Sequence, residues 1–219
     1  MALIRSAFQD ELDNISQSLV DLAEMVSLSM AKASTSILTS DLKLAEEVIA
    51  SDDKIDTLQH DLDARIIDTI ARQQPVASDL RALITALRMS SDLERMGDLA
   101  HHVAKVCRMR HPESAVPAEL LDIIRAMSSA AIRITEKIGI VIATRDIEIA
   151  LEVDKDDDEV DELHRQLISK LVEPGATFTI EEAIDLTLLG RYFERYSDHA
   201  VSVSQRVYFL VKGEFPPTK

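Results

Sequence analysis

Helix breakers are scarce in this chain. Five glycines and six prolines in 219 residues come to about half of average usage, and neither residue occurs before Pro75. Sheet proteins of this size need turn residues roughly every ten positions, so an all-β or βαβ fold is excluded as the first expectation. Positive charge is also short. Lys and Arg number 24 against 39 Asp and Glu, a formal charge of −15. That leaves no basic footprint for nucleic-acid phosphates, and an acidic surface is repelled by an anionic membrane leaflet. A single cysteine, Cys107, excludes an intrachain disulfide and a thiolate metal cluster. Long apolar runs are missing too: the stretch Ile138–Ala143 falls far short of the roughly 18 residues that span a bilayer. The N-terminal residues run directly into Asp10, Glu11 and Asp13, unlike a signal peptide. A cytoplasmic protein is the expectation.

What remains is 46% hydrophobic and 29% charged, enough for a packed core. The few breakers cut it into six long helical segments. Apolar residues at Leu12, Ile15, Leu19, Leu22, Met25 and Val26 mark the first, over about 3–38. Thr39-Ser40-Asp41 offers caps for a second, which Gln74-Pro75 ends. Ser78 or Asp79 is suited to cap a third, reaching about Arg110. Pro112 and Pro117 bracket a linker. A fourth is expected over 118–143, and a fifth from Thr144 or Asp146 to the Glu173-Pro174-Gly175 break. Thr179 with Glu182 forms a capping box for a sixth, ending near Lys212-Gly213.

The two sides of the linker are copies. Residues 39–62 align on 144–167 with ten identities in 24, among them Asp52/Asp157 and Asp56/Asp161. After the proline turn the offset drops from 105 to 100, and Glu94, Arg95 and Asp98 meet Glu194, Arg195 and Asp198. An indel at a helix–helix turn is the place where one is tolerated. The expected fold is all-α: two tandem, similar three-helix bundles, over 1–112 and 113–219.

Each copy carries two carboxylate pairs at i,i+4: Asp52/Asp56 with Glu94/Asp98, then Asp157/Asp161 with Glu194/Asp198. One such pair is ordinarily a solvated helix face, and about seven would arise by chance in a chain this acidic. Three features add weight. The pairs recur at matched positions. Within each copy they are equidistant from the turn, which puts them side by side in an antiparallel hairpin. On the third helix they also continue the direction of Leu80, Leu83 and Leu87, which faces a neighbouring helix. Stacked like charges with only Arg95 or Arg195 nearby call for multivalent cations bound through oxygen, such as Mg²⁺, Mn²⁺, Ca²⁺ or iron, with zinc also open. His101, His102, His164 and His199 lie near these acids; as lone histidines they are ordinarily packing residues, and their role as ligands stays open. No Glu-x-x-His occurs, which disfavours a ferritin-type oxidase, and no Gly-rich phosphate loop or nucleophile elbow is present. Met25, Met30, Met89, Met96, Met127 and Cys107 read as core.

At these residues a resemblance becomes specific. Glu94-Arg-Met-Gly-Asp-Leu-Ala100 and Glu194-Arg-Tyr-Ser-Asp-His-Ala200 resemble the paired signature motifs of the PhoU family, bacterial phosphate-uptake regulators. The turn at 73–81 and the end at Val207–Gly213 are similar to the family's own. The pattern departs where the family usually has Asn four residues after the motif's Asp, here His102 and Ser202, and where Ser197 replaces the glycine seen at Gly97. The resemblance implies tandem three-helix bundles with multinuclear metal clusters, of iron, manganese, magnesium or zinc. Carried over by position, the ligands are Asp52, Asp56, Glu94 and Asp98, then Asp157, Asp161, Glu194 and Asp198. It further implies a non-enzymatic negative regulator of the phosphate-starvation response. Its partners would be a phosphate ABC transporter's ATPase subunit and a phosphate-sensing histidine kinase; a homodimer stands as an open expectation. The rival reading is a structural helical repeat of the spectrin type with solvated acidic faces, in which a helix should run unbroken between repeats.

Overall fold

The computed structural model describes the backbone of residues 2–216 and the side chains of residues 7–216. Residues 1 and 217–219, counted in the expected units, lie outside it. Six helices follow one another: α1 (Ala2–Thr39), α2 (Leu42–Gln73), α3 (Ala77–Arg110), α4 (Leu121–Thr144), α5 (Ile147–Leu171) and α6 (Ile180–Lys212). No strand occurs among the described residues.

The ends of these helices follow from local chemistry. Asp41 accepts from the Leu44 amide, and Asp146 accepts from Glu148 and Ile149, so each carboxylate satisfies an otherwise orphaned helix N–H. Thr179 and Glu182 form the expected reciprocal capping box. Gly213 ends α6 in the left-handed region, where a Cβ would be strained. Two ends differ from the sequence reading. Helix α3 starts at Ala77, with Val76 at its cap position and no side-chain cap, because left-handed Gln74 and Ala77 on either side of Pro75 turn the chain directly into the helix. Helix α4 begins at Leu121, after a 3-10 turn over Ala118–Leu120. Between α3 and that turn the chain is irregular, and it drives Ala115 and Val116 into the core. The unbroken inter-repeat helix of a spectrin-type array is therefore absent: α3 stops at Arg110.

Within each copy all three helices pack on one another. The copies then pack together through equivalent elements, α1 on α4 and α3 on α6. Equivalent meeting equivalent is the pattern of a twofold dimer interface, here folded into one chain. Helices α3 and α6 run antiparallel. The Arg81 guanidinium lies 5.3 Å from the Phe209 ring centre near one end, His102 meets Tyr192 at 5.2 Å in the middle, and Arg110 pairs with Asp185 at the other end. One continuous apolar core runs through both copies, from Leu19 and Leu22 to Val203 and Val207. Met30, Met89, Met96, Met127 and Cys107 are buried in it as expected, with Met25 partly buried at its margin. Side chains have exchanged in concert between the copies. Met30 and Met96 are fully buried in the first; at the matched places in the second, the Thr135 and Tyr196 hydroxyls share a buried 2.7 Å hydrogen bond.

Candidate functional site

Helices α2 and α3 bring the four acids of the first copy together. Their meeting depends on Gly97, which lies between Glu94 and Asp98. A Cβ there would sit 3.1 Å from both Cδ1 and Cγ2 of Ile55, so the absence of a side chain lets α2 close on α3 at the level of the acids. Asp52 and Glu94 keep only 13% and 20% of their side-chain surface exposed. Burial, then the negative charges of Asp52 and Asp98, push the Asp56 carboxyl above the usual carboxylate range. Burial and Asp98 do the same to Glu94, with smaller contributions from Asp56 and Asp52 and partial relief from Arg95. Arg95 donates to Asp98 at 2.7 Å and lies 3.4 Å from Glu94.

The second copy repeats the arrangement on α5 and α6. Burial raises the Asp157 carboxyl to about 6; Asp161, Asp198 and Asp158 push it the same way, and the nearby Ser197 hydroxyl opposes them. That hydroxyl faces Asp157 without a hydrogen bond of normal geometry, and Asp157 Oδ1 is buried without a partner. Asp198 is raised by burial and by Glu194, with Asp161 adding to the push and Arg195 and Arg191 opposing it. Two cations therefore serve this copy rather than the one expected, since Arg191 bonds Glu194 and Arg195 lies 3.9 Å from Asp198. The i,i+3 spacing of Arg191 and Glu194 was visible in the sequence and foretold the contact.

The histidines divide. His101 alone touches a site carboxylate, through a hydrogen bond between its Nδ1 and Asp52 Oδ2. His102 Nδ1 bonds the Asp98 carbonyl within α3. His164 packs where a Cβ on Gly190 would lie 2.9 Å from its ring, so it fills a helix crossing. His199 joins Asp92 across the seam at 3.1 Å, beside Arg206 at 2.9 Å. The arithmetic that paired the acids sets His101 opposite Ile49, so it brings His101 only to within one turn of its partner Asp52 and does not identify the contact. Contacts of Asp92 more than 100 residues away carried no such signal.

Each copy thus presents four oxygen-donor side chains, several held above their ordinary titration range by burial and mutual repulsion. Asp56 Oδ1, Asp157 Oδ1 and His101 Nε2 are buried without partners. Such a donor set suits a hard or borderline cation. Among the described residues, however, no three acidic, imidazole or thiol groups already converge on one ion position. Side chains would have to rotate inward on binding.

Comparison with known proteins gives a consistent answer. The family model described as PhoU domain matches twice, over residues 19–107 and 124–207. The chain is 38% identical over 213 residues to the phosphate-specific transport system accessory protein PhoU homolog 2 of Mycobacterium tuberculosis, covering 97% of this chain and all of that one. It is equally similar to PhoU homolog 1 of Mycobacterium leprae, over 97% of this chain and 96% of the relative. Among solved structures, PhoU from Pseudomonas aeruginosa superposes with a TM-score of 0.86 at 28% identity, covering 94% of this chain and all of that chain. The phosphate transport system regulatory protein PhoU from Streptococcus pneumoniae superposes at 0.87 with 23% identity, over 96% of this chain and all of that one, which bears on the fold alone.

Proposed function

The chain belongs to the PhoU family, and from that we infer that it is a non-enzymatic regulator of phosphate uptake that binds cations on its two acidic faces and acts by protein contact. Its role would be to restrain the phosphate-starvation response, linking a phosphate ABC transporter's ATPase subunit to a phosphate-sensing histidine kinase. The observation that carries the cation part is the duplicated set of facing carboxylates, with Asp56, Glu94, Asp157 and Asp198 raised by burial and by neighbouring carboxylates.

A bound cation of iron, manganese, magnesium or zinc supplies charge neutralisation. Asp52, Asp56, Glu94 and Asp98 would hold it in the first copy, and Asp157, Asp161, Glu194 and Asp198 in the second. Arg95, Arg191 and Arg195 hold carboxylates of these sets in place from the outside. Protein contact is supported by exposed apolar residues at matched positions near both hairpin turns: Ile67 and Val172, Ile84 and Ile184, and Leu80 with Ile180, Leu80 being exposed at the N-terminal end of α3 rather than facing a neighbouring helix with Leu83 as expected. Isolated apolar residues at a surface are ordinary, but exposed apolar residues at matched positions in both copies of a diverged repeat suit a docking surface. No helix among the described residues is long and apolar enough to cross a membrane.

A solvated acidic face on a purely structural repeat is the second reading, favoured by the lack of a preformed ion position among the described residues. The two part on Glu94→Ala/Asp98→Ala and Glu194→Ala/Asp198→Ala. Cation binding predicts that each pair of changes eliminates metal from its own copy with helix content unchanged, and derepresses a phosphate-starvation reporter. The structural reading predicts equal or higher stability with regulation intact, because like charges have been removed. Metal stoichiometry and reporter output on the same variants decide it, and full metal loading in both would refute the ligand assignment.

A further inference from the structure

A cavity of about 230 Å³ opens on the seam between the copies, where α1 and α3 meet the C-terminal ends of α4 and α6. Its wall is aliphatic, with Leu12 and Ile15 from α1, Leu83 and Met89 from α3, Ile142 from α4 and Val207 from α6, and no aromatic ring lines it. The repeat shows what keeps it open. Ser16, Ala82 and Ala86 line it, and at the matched places of the second copy stand Leu121, Glu182 and Leu186, of which Leu186 is fully buried. Leu83, matched by Ala183, is an exchange in the other direction. Unfilled apolar space forfeits packing energy, yet the chain leaves it here while placing larger side chains at the counterpart. Neither acidic face contributes a residue to the wall.

The room suits a small aliphatic molecule: a cavity of roughly 150 Å³ takes up benzene, so this one has space for a chain of about eight carbons. The rim sets the head group. Arg145, which ends α4 in the left-handed region, lines the rim, is exposed, and enters no ion pair among the described residues. Its planar guanidinium is suited to grip a carboxylate with two parallel hydrogen bonds. Asp79, the acid on the same rim, sits in the first turn of α3, where the positive end of the helix dipole offsets its charge, and accepts from the Ser78 hydroxyl at 3.4 Å. We propose that this cavity binds a medium-chain fatty carboxylate, with its chain among α1, α3, α4 and α6 and its head on Arg145. Because the wall draws on both copies, an occupant ties them together, and the melting temperature rises with its concentration.

The test uses the full chain with sodium octanoate, and with 1-octanol and octylamine as probes that share its tail. Calorimetric titration should give octanoate an affinity about two- to fivefold above octanol, the range of an exposed ion pair, with octylamine weakest. Arg145→Ser, which matches Ser40 of the first copy, should remove that margin with the urea midpoint unchanged. Asp79→Asn should tighten octanoate binding, since one repelling charge leaves the rim. Ala86→Leu, the exchange the repeat itself carries at Leu186, should fill the cavity, hold or raise the urea midpoint, and weaken octanoate by about tenfold or more. A readout that needs no variant is the Met89 methyl ¹³C resonance of the unaltered chain, which should shift with octanoate and stay in place with acetate, the head without the tail. All of these results should be the same with chelator and with added Mn²⁺, which separates this site from the cation reading. An unmoved Met89 resonance at millimolar octanoate, an unchanged affinity in folded Ala86→Leu protein, or octanol or octylamine binding as tightly as octanoate overturns the proposal.

Discussion

Asp157 titrates near 6, where an exposed aspartate sits at 3.8, because burial penalises its charge and neighbouring carboxylates repel it. The folded chain therefore holds this proton more tightly than the unfolded chain. Stability from this group is present below about 3.8 and is lost as pH rises through about 6. In the presence of chelator, the melting temperature should rise as pH is lowered from 7 to 5. Asp157→Asn should stabilise the cation-free protein by about 1–2 kcal/mol at pH 7, discounted for partial exposure, and flatten its pH dependence. A pH-independent melting temperature in the unaltered chain would contradict the burial argument. Gly97 offers a second test at the same scale. Ser197 occupies the matched place opposite the hairpin position of Val160, whereas Gly97 faces the larger Ile55. Gly97→Ser should cost about 1–2 kcal/mol in urea unfolding through overpacking, and at least half of that penalty should disappear in an Ile55→Val background.

At the scale of elements, the sequence was most legible where a single local interaction decides an outcome. The Thr179/Glu182 box and the Asp41 and Asp146 caps need only neighbours three residues away, and they form as read. The start of α3 was misplaced because Ser78 and Asp79 are good caps in isolation, while the backbone at Gln74 and Ala77 decides the turn. The acidic hairpins were legible because equal distance from a turn is a geometric statement. What a linear reading could not supply is the α3–α6 seam, whose partners are 71 to 128 residues apart. Arg110 is its chief polar contact: it bonds Asp185, whose side chain is 4% exposed, and also Glu181, at 68%. Removing Arg110 strands a buried carboxylate, so Arg110→Ala should cost about 3–5 kcal/mol. Glu181→Ala, which removes only the exposed partner, should cost less than about 1 kcal/mol. Urea midpoints for the two variants check the contrast, and equal costs would mean that burial of Asp185 is not what matters.

At the scale of the molecule, the repeat suggests two units divided near residues 112 and 113, yet both bury their α1/α4 and α3/α6 faces only against each other. A unit that loses its neighbour exposes two helix faces at once, so the copies should stabilise one another and unfold together. The chain carries its own reporters for this. Its three tyrosines, Tyr192, Tyr196 and Tyr208, all lie in the second copy, whereas its one cysteine, Cys107, lies buried in the first. Tyrosine near-ultraviolet signal therefore follows one copy, and pulsed thiol labelling of Cys107 follows the other, with far-ultraviolet dichroism covering both. Across a urea gradient the three transitions should share one midpoint. A fragment ending at residue 112 should label at Cys107 in far less urea than the full chain. Separate midpoints for the tyrosine and thiol signals, or a fragment as well protected as the full chain, would mean that each copy is stable alone and that the seam is a docking contact. Coincidence would mean that a change at one acidic face acts on a body that includes the other.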